Sequence, residues 1–258
     1  MPGPDLALLL DAAEAAGRIA ERHFGRAPET WQKARGQGPV TEADIEIDRM
    51  LRHELLAARP DYGWLSEESE DSAERLQRER VFIVDPIDGT RAFINGQTGF
   101  SHSLAVAENG VVVAAAVVLP LRSLVFRAER GNGARLNGAP LAASSRAELE
   151  GAQVLAAGPQ LSPDLWPGGV PPVERHFQTS LAYRLCLVAE GAFDAMLTLR
   201  DAWEWDIAAG ALICQEAGAV VTDRGGATLN FNNPVPQRPG VLAAGAAVHA
   251  GLMAHLQG

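Results

Sequence analysis

Apolar residues first recur at helical spacing. After Pro4, the positions Leu6, Leu9, Leu10, Ala13, Ala16, Ala20 and Phe24 form one face, which predicts a helix ending near Gly25. The mixed polar stretch from Ala27 to Gly38 reads as a loop, with Lys33 and Arg35 as solvated surface cations. A second helical face, Ala43, Ile47, Met50, Leu51 and Leu55, opens at Thr41 and stops at Arg59-Pro60. Thr41 followed three residues later by Asp44 resembles a capping box, a structural role sufficient to explain Asp44 on its own. Gly63-Trp64-Leu65 reads as a short strand that delivers Ser66-Glu67-Glu68-Ser69 at its end, and Glu68 reads as part of a solvated edge.

The pattern changes at Val81-Phe82-Ile83-Val84. A short unbroken apolar run predicts a buried strand, with Asp85 at its end. Pro86 lacks the N–H of a central ladder and Asp88-Gly89 is a turn dipeptide, so the chain is expected to bend sharply. The bend crowds Asp85 and Asp88 together and turns the Ile87 carbonyl out of the ladder. Thr90 then opens a short helix through Ile94, with free N–H groups at its start. Asp-Pro and Asp-Gly are also ordinary turn formers, so this stretch alone does not separate a site from a turn.

From Ser101 to Leu141 the pattern is repeated β: Ser103 to Ala107, Val111 to Leu119 and Leu124 to Ala128, with Asn109-Gly110 and Asn137-Gly138 as hairpin turns. This predicts a mostly antiparallel sheet. The polar, alanine-rich passage Ala142 to Glu150 marks the expected boundary between residues 1–145 and residues 146–258. Beyond it come a strand Val154 to Ala157, a loop Pro159 to Pro172, a helix Ser180 to Glu190 closed by Gly191, and a strand Ala195 to Thr198. A helix Ile207 to Ala217 capped by Gly218, strands Val220 to Thr222 and Val241 to Ala244, and a final helix from Ala247 complete an α/β order. The expected fold class is α+β, with an α+β N-terminal half and an α/β C-terminal half.

Composition excludes more than it assigns. The 258 residues, 47% hydrophobic and 21% charged, suit an ordinary globular core. A formal charge of -10 and a pI near 5.1 offer no basic footprint for a nucleic-acid polymer or an anionic membrane. A phosphate substrate would therefore need recruited cations. The longest apolar run, Val111 to Leu121, is too short to span a bilayer and contains Pro120, and the start of the chain lacks a basic leader. The expectation is a soluble, cytoplasmic protein. Cys186 and Cys214 lie in separate apolar helical stretches and read as free buried thiols. The six histidines show no His-x-x-x-His spacing and no Cys-x-x-Cys occurs, which argues against zinc.

Acids gather instead at the ends of predicted elements: Asp44, Glu67, Asp85 with Asp88, and Asp206. Asp206 follows Trp203-Glu204-Trp205 and reads equally well as the N-cap of the helix from Ile207, a role worth about 1 kcal/mol. Carboxylates and carbonyls without sulfur or imidazole select hard cations, Mg²⁺ above all, and such sites are completed by water and phosphate.

The ordered motifs Val40-Thr41-x-x-Asp44, Ser66-Glu67-Glu68-Ser69, Val84-Asp85-Pro86-Ile87-Asp88-Gly89-Thr90, Trp205-Asp206-Ile207-Ala208-Ala209-Gly210 and Glu216-Ala217-Gly218 resemble the inositol monophosphatase family. That family comprises lithium-sensitive, Mg²⁺-dependent phosphatases and includes bisphosphate nucleotidases and fructose bisphosphatases. The match spans roughly residues 5 to 250. It implies a layered αβαβα sandwich, a homodimer, and hydrolysis of a small phosphate monoester by metal-activated water without a phosphoenzyme. It also implies two or three Mg²⁺ per site. Glu67, Asp85 and the Ile87 carbonyl correspond to the ligands of the first, and Asp85, Asp88 and Asp206 to those of the second, with Glu67 and water for a weaker third. Asp44 and Thr90 resemble the pair that orients and deprotonates the attacking water. The N–H groups of Gly89 and Thr90 resemble the phosphate cradle, joined by Arg91 as a substrate-binding residue.

Substrate choice departs from the inositol-specific pattern. Those members carry an acid seven residues before the Trp-Asp aspartate, where an ungapped count finds Leu199. Asp88-Gly89-Thr90-Arg91-Ala92-Phe93-Ile94 resembles the Asp-Gly-Thr-Lys-Glu-Phe-Ile of bisphosphate nucleotidases, as does Leu187-Val188-Ala189-Glu190-Gly191. The leading expectation is 3'-phosphoadenosine 5'-phosphate. Inositol 1-phosphate, or another small sugar or histidinol phosphate, stands as the alternative, and a catalytically silent phosphate sensor as the non-enzyme alternative. A pure binder has no use for a water-activating Asp44–Thr90 pair. Ala219 also departs, where the family continues Glu-Ala-Gly-Gly; this bears on packing.

Overall fold

Strict alternation along two sheets sorts the apolar side chains into three cores. The computed structural model describes residues 3–26, 28–33 and 38–258; Ala27, Ala34, Arg35, Gly36 and Gln37 of the expected loop lie outside the described residues. Helix α1 (Pro4–His23) starts with proline at its first turn. A hairpin of β1 (Thr30–Gln32) and β2 (Pro39–Thr41) follows, where the sequence read only loop. Helix α2 (Glu42–Ala58) carries the anticipated capping box: Thr41 and Asp44 bond each other's backbone through their side chains.

The larger sheet has seven strands in chain order: β3 (Gly63–Ser66), β4 (Arg80–Asp88), β5 (Ser101–Glu108), β6 (Val111–Leu119), β7 (Leu124–Glu129), β8 (Ala134–Leu136) and β9 (Ala139–Pro140). Only β3 and β4 are parallel. One face, with Phe82, Val84, Leu104 and Val106, packs on Leu9, Ala16, Ile47 and Leu51 of α1 and α2. The other, with Val81, Ile83, Ala105 and Val117, packs on α4 (Leu181–Ala189) and α5 (Glu204–Glu216). The short α3 (Thr90–Ile94) follows β4.

The second sheet is ordered β11 (Glu174–His176), β10 (Gln153–Leu155), β12 (Ala195–Thr198), β16 (Val241–Ala244), β14 (Val220–Thr222). It is mixed: β10 is parallel to β11 and β12, while β16 is antiparallel to both its neighbours. One face joins the α4–α5 core, and the other packs on Val248 and Leu252 of α6 (Ala246–Gln257). Strands β13 (Ala202–Trp203) and β15 (Gln237–Arg238) form a separate pair. The layers therefore run α1α2, sheet, α4α5, sheet, α6, an αβαβα sandwich of α+β class. The middle layer is tight. A Cβ on Gly210 of α5 would stand 2.6 Å from Leu185 Cβ of α4, so only glycine fits there. Cys186 and Cys214 are free and buried in the same layer. Among the described residues no helix is long and apolar enough to cross a membrane.

Candidate active site

Strand β4 does not end at Asp85. It runs on to Asp88 through a bulge, with Asp85 opposite Ser103 and Asp88 opposite Ser101. Pro86 is tolerated because it falls inside the bulge, where no ladder bond is lost, and because the parallel partner β3 stops opposite Val84. The bend is real, but it is a bulge within a strand. Gly89 then takes φ +96°, a left-handed conformation that suits glycine, and caps α3. Helix α5 likewise begins earlier than the sequence suggests: Trp203 is its N-cap and Asp206 lies in its first turn.

These ends bring three carboxylates together. One oxygen from each of Glu67, Asp85 and Asp206 lies within 4.8 Å of the other two. Asp85 is 1% exposed, and its Oδ1 has no hydrogen-bond partner among the described residues. Burial, then the charges of Glu67, Asp88 and Asp206, push the Asp85 carboxyl well above the ordinary range. Burial, with Asp88 and Glu67, does the same to Asp206. Asp88 accepts bonds on Oδ2 from Ser180 Oγ and the Ala182 amide, both at 2.6 Å. Burial outweighs those bonds and pushes it up to about 6. An orphaned, buried carboxylate oxygen among like charges suits an oxygen-coordinated cation. The donor set, with no sulfur or imidazole in it, fits a hard ion such as Mg²⁺. The Ile87 carbonyl, two residues beyond Asp85, accepts the Thr90 hydroxyl at 3.1 Å.

Asp44 is fully buried. Its Oδ2 accepts the Thr41 amide at 2.8 Å and the Thr41 hydroxyl at 2.5 Å, while Oδ1 faces Thr90 Oγ1 at 3.4 Å. Burial wins over the Thr41 bonds and pushes Asp44 up to about 6. Two clefts flank the acids and share Glu67. One, about 400 Å³, is lined by Gly89, Thr90, Arg91, Phe177, Thr179 and Arg184. The other, about 280 Å³, lies against Lys33 and the stacked rings of Trp203 and Trp205, whose centroids are 4.7 Å apart.

Two surface assignments are corrected. Lys33 is not a solvated cation: its ammonium lies 2.6 Å from Glu67 Oε1 and 2.6 Å from Glu68 Oε1. Nor is Glu68 a solvated edge, since its side chain is 3% exposed. Burial, then the neighbouring Glu67 charge, push it up to about 8. Sequence reasoning also missed the residues that hold the site. Asp48, one turn beyond Asp44, accepts Ser66 Oγ at 2.6 Å and Ser69 Oγ at 2.5 Å, gripping both ends of the Glu67 segment. Ser101 bonds Ser180 at 3.0 Å, and Ser103 donates to the Trp205 carbonyl at 2.9 Å, tying β5 to the starts of α4 and α5. His102 bonds the Pro86 carbonyl; burial pushes its imidazole down to about 4. Three consecutive polar residues in a buried apolar strand were the available signal. Arg184 left none, because only the fold carries it to the cleft.

The layered fold, with a carboxylate cluster suited to a hard cation beside a cleft lined by Arg91 and Arg184, fits a hydrolase of phosphate esters. Comparison with known proteins makes this specific. Residues 4–258 match the model of the inositol monophosphatase family. The inositol-1-monophosphatase of Rhizobium meliloti is 35% identical over 232 residues, covering 86% of each chain. The histidinol-phosphatase of Chlorobaculum parvum is 32% identical, covering 85% of this chain and 86% of its own. The solved structure of the Thermotoga maritima IMPase TM1415 superposes with a TM-score of 0.84 at 28% identity, covering 99% of this chain and 97% of that one. The chain belongs to the inositol monophosphatase family, whose members hydrolyse phosphate monoesters.

Proposed function

We propose that this chain hydrolyses a small phosphate monoester bearing a second anionic group, with 3'-phosphoadenosine 5'-phosphate as the first candidate. The observation that carries this reading is Arg184. Its guanidinium lines the same cleft as Gly89, Thr90 and Arg91, braced by a 2.6 Å bond from Nε to the Gln178 carbonyl and lying over the Phe177 ring at 4.6 Å. Two guanidinium groups beside one reacting centre suit a substrate with more negative charge than the group it loses. Leu199 supports the same choice. It packs into the core under α6, where no acid is offered to sugar hydroxyls. Inositol 1-phosphate and histidinol phosphate form the second reading, favoured by the activities that name the two relatives above.

Within this reading, Glu67, Asp85 and the Ile87 carbonyl would hold one Mg²⁺, and Asp85, Asp88 and Asp206 would hold a second, with Glu67 available to a third. Residues 1–145 thus supply most ligands and residues 146–258 supply Asp206. Bound Mg²⁺ would lower the pKa of water and neutralise charge on the leaving oxygen. Asp44 accepts the proton of the attacking water, relayed or steadied by the Thr90 hydroxyl, because Oδ2 is committed to Thr41 while Oδ1 remains available. The amides of Gly89 and Thr90 and the Arg91 side chain hold the phosphate that departs.

Phosphate release measured across 3'-phosphoadenosine 5'-phosphate, inositol 1-phosphate, fructose 1,6-bisphosphate and histidinol phosphate tests the choice. Arg184→Gln is expected to raise KM about tenfold or more for the bisphosphates and to leave single-phosphate esters nearly unchanged. Preference for inositol 1-phosphate, unmoved by Arg184→Gln, would move the assignment to the second reading.

A further inference from the structure

His102 stands in β5, wholly buried, on the face it shares with Phe100, Leu104 and Val106. Its Nδ1 bonds the Pro86 carbonyl. A carbonyl only accepts, so Nδ1 carries the proton. Nε2 is then left with a lone pair that no donor among the described residues meets. A buried, unpartnered acceptor is unfavourable, and an aliphatic side chain would fill the same place without one. Packing therefore does not account for histidine here.

The β4 bulge does account for it. Pairing jumps from Asp85–Ser103 to Asp88–Ser101, and β3 has already stopped opposite Val84, so the peptide between Asp85 and Ile87 has no strand partner in the larger sheet. His102 supplies a donor at that point. We infer that His102 is a positioning residue: through Nδ1–H it pins the Pro86 carbonyl, and so sets the directions in which the Asp85 carboxylate and the Ile87 carbonyl face the cation. This rests on the proposed metal role of Asp85 and Ile87.

The test is calorimetric Mg²⁺ binding to the full chain, with the melting temperature recorded for each variant. Asp85→Asn is expected to lose Mg²⁺ binding, which checks the site reading independently. His102→Val is expected to bind Mg²⁺ about tenfold more weakly, the scale seen when a partner that orients a ligand is removed. Its melting temperature should fall modestly, because the Pro86 carbonyl loses its donor even as the orphaned lone pair leaves, so the affinity is compared with that of the asparagine variant rather than judged on stability. His102→Asn should restore most of the affinity, because its amide N–H can reach the same carbonyl. His102→Leu, which like imidazole branches at Cγ, is read as His102→Val is and serves if the valine variant does not fold. Wild-type affinity in the aliphatic variants, or an asparagine variant as weak as they are, would overturn the inference. Wild-type binding by Asp85→Asn would instead remove the site reading beneath it.

Discussion

Asp44 divides its work between two oxygens. Oδ2 closes the capping box of α2 and Oδ1 faces Thr90, so one residue serves both the helix and the chemistry. Asp44→Asn keeps an oxygen for the cap but loses the proton acceptor. The expected result is a fall in rate on the order of 10² to 10⁴, the range for losing a general base, with Mg²⁺ binding retained. Single-turnover phosphate release beside a Mg²⁺ titration checks this; lost Mg²⁺ affinity with a normal saturated rate would show the role to be different. In the metal-free protein Asp44 is pushed up to about 6, and bound cations would draw it lower, so wild-type activity should decline as pH drops on the acid side of that value. From its local residues Asp44 read as a cap, and only the family resemblance paired it with Thr90, because the Thr90 hydroxyl lies 46 residues away.

Helix α2 acts as a ruler between two parts of the site. Asp44 and Asp48 sit one turn apart, so the helix that presents the first also clamps Ser66 and Ser69 on either side of Glu67. In Asp48→Asn the amide cannot accept both hydroxyls in the same way. Mg²⁺ affinity should fall about tenfold while the rate at saturating Mg²⁺ stays within a few-fold of wild type. A mutant with unchanged affinity would show that Ser66–Ser69 is held by its backbone alone. The elements themselves were largely legible, since α1, α2, β4 to β7 and the C-terminal alternation all followed from periodicity. What escaped was set by partners distant in sequence. Pro86 looked like a strand stop because it lacks an N–H; that β3 ends too early to need one is visible only in the register. Lys33 looked solvated because Glu67 and Glu68 reach it across 34 and 35 residues. The acid motifs were readable because each is local and ordered along the chain; Asp48, Ser180 and Arg184 had no such neighbourhood.

For the molecule as a whole, the gathered acids carry a penalty that depends on pH. Asp44 and Asp88 are pushed up to about 6 and Glu68 to about 8, with Asp85 and Asp206 also raised, whereas unfolded carboxyls titrate near 4. Between about pH 4 and pH 8 the metal-free folded state therefore binds more protons than the unfolded state, so its stability declines as pH rises. The melting temperature in chelator should drop from about pH 5 to about pH 8, and added Mg²⁺ should raise it more at the higher pH. A chelated protein that grows more stable across this range would contradict the arrangement. The same charges set how substrate enters. A chain at -10 that collects Glu67, Asp85, Asp88 and Asp206 around one cleft should repel phosphate until cations fill it. Calorimetric titration of inorganic phosphate, the reaction product, is the most direct test. The account predicts binding in millimolar Mg²⁺ and none measurable in chelator, with phosphate tightening Mg²⁺ by the same factor. Equal affinity in both conditions would contradict it, leaving Arg91, Arg184 and the Gly89–Thr90 amides as an anion site that needs no metal.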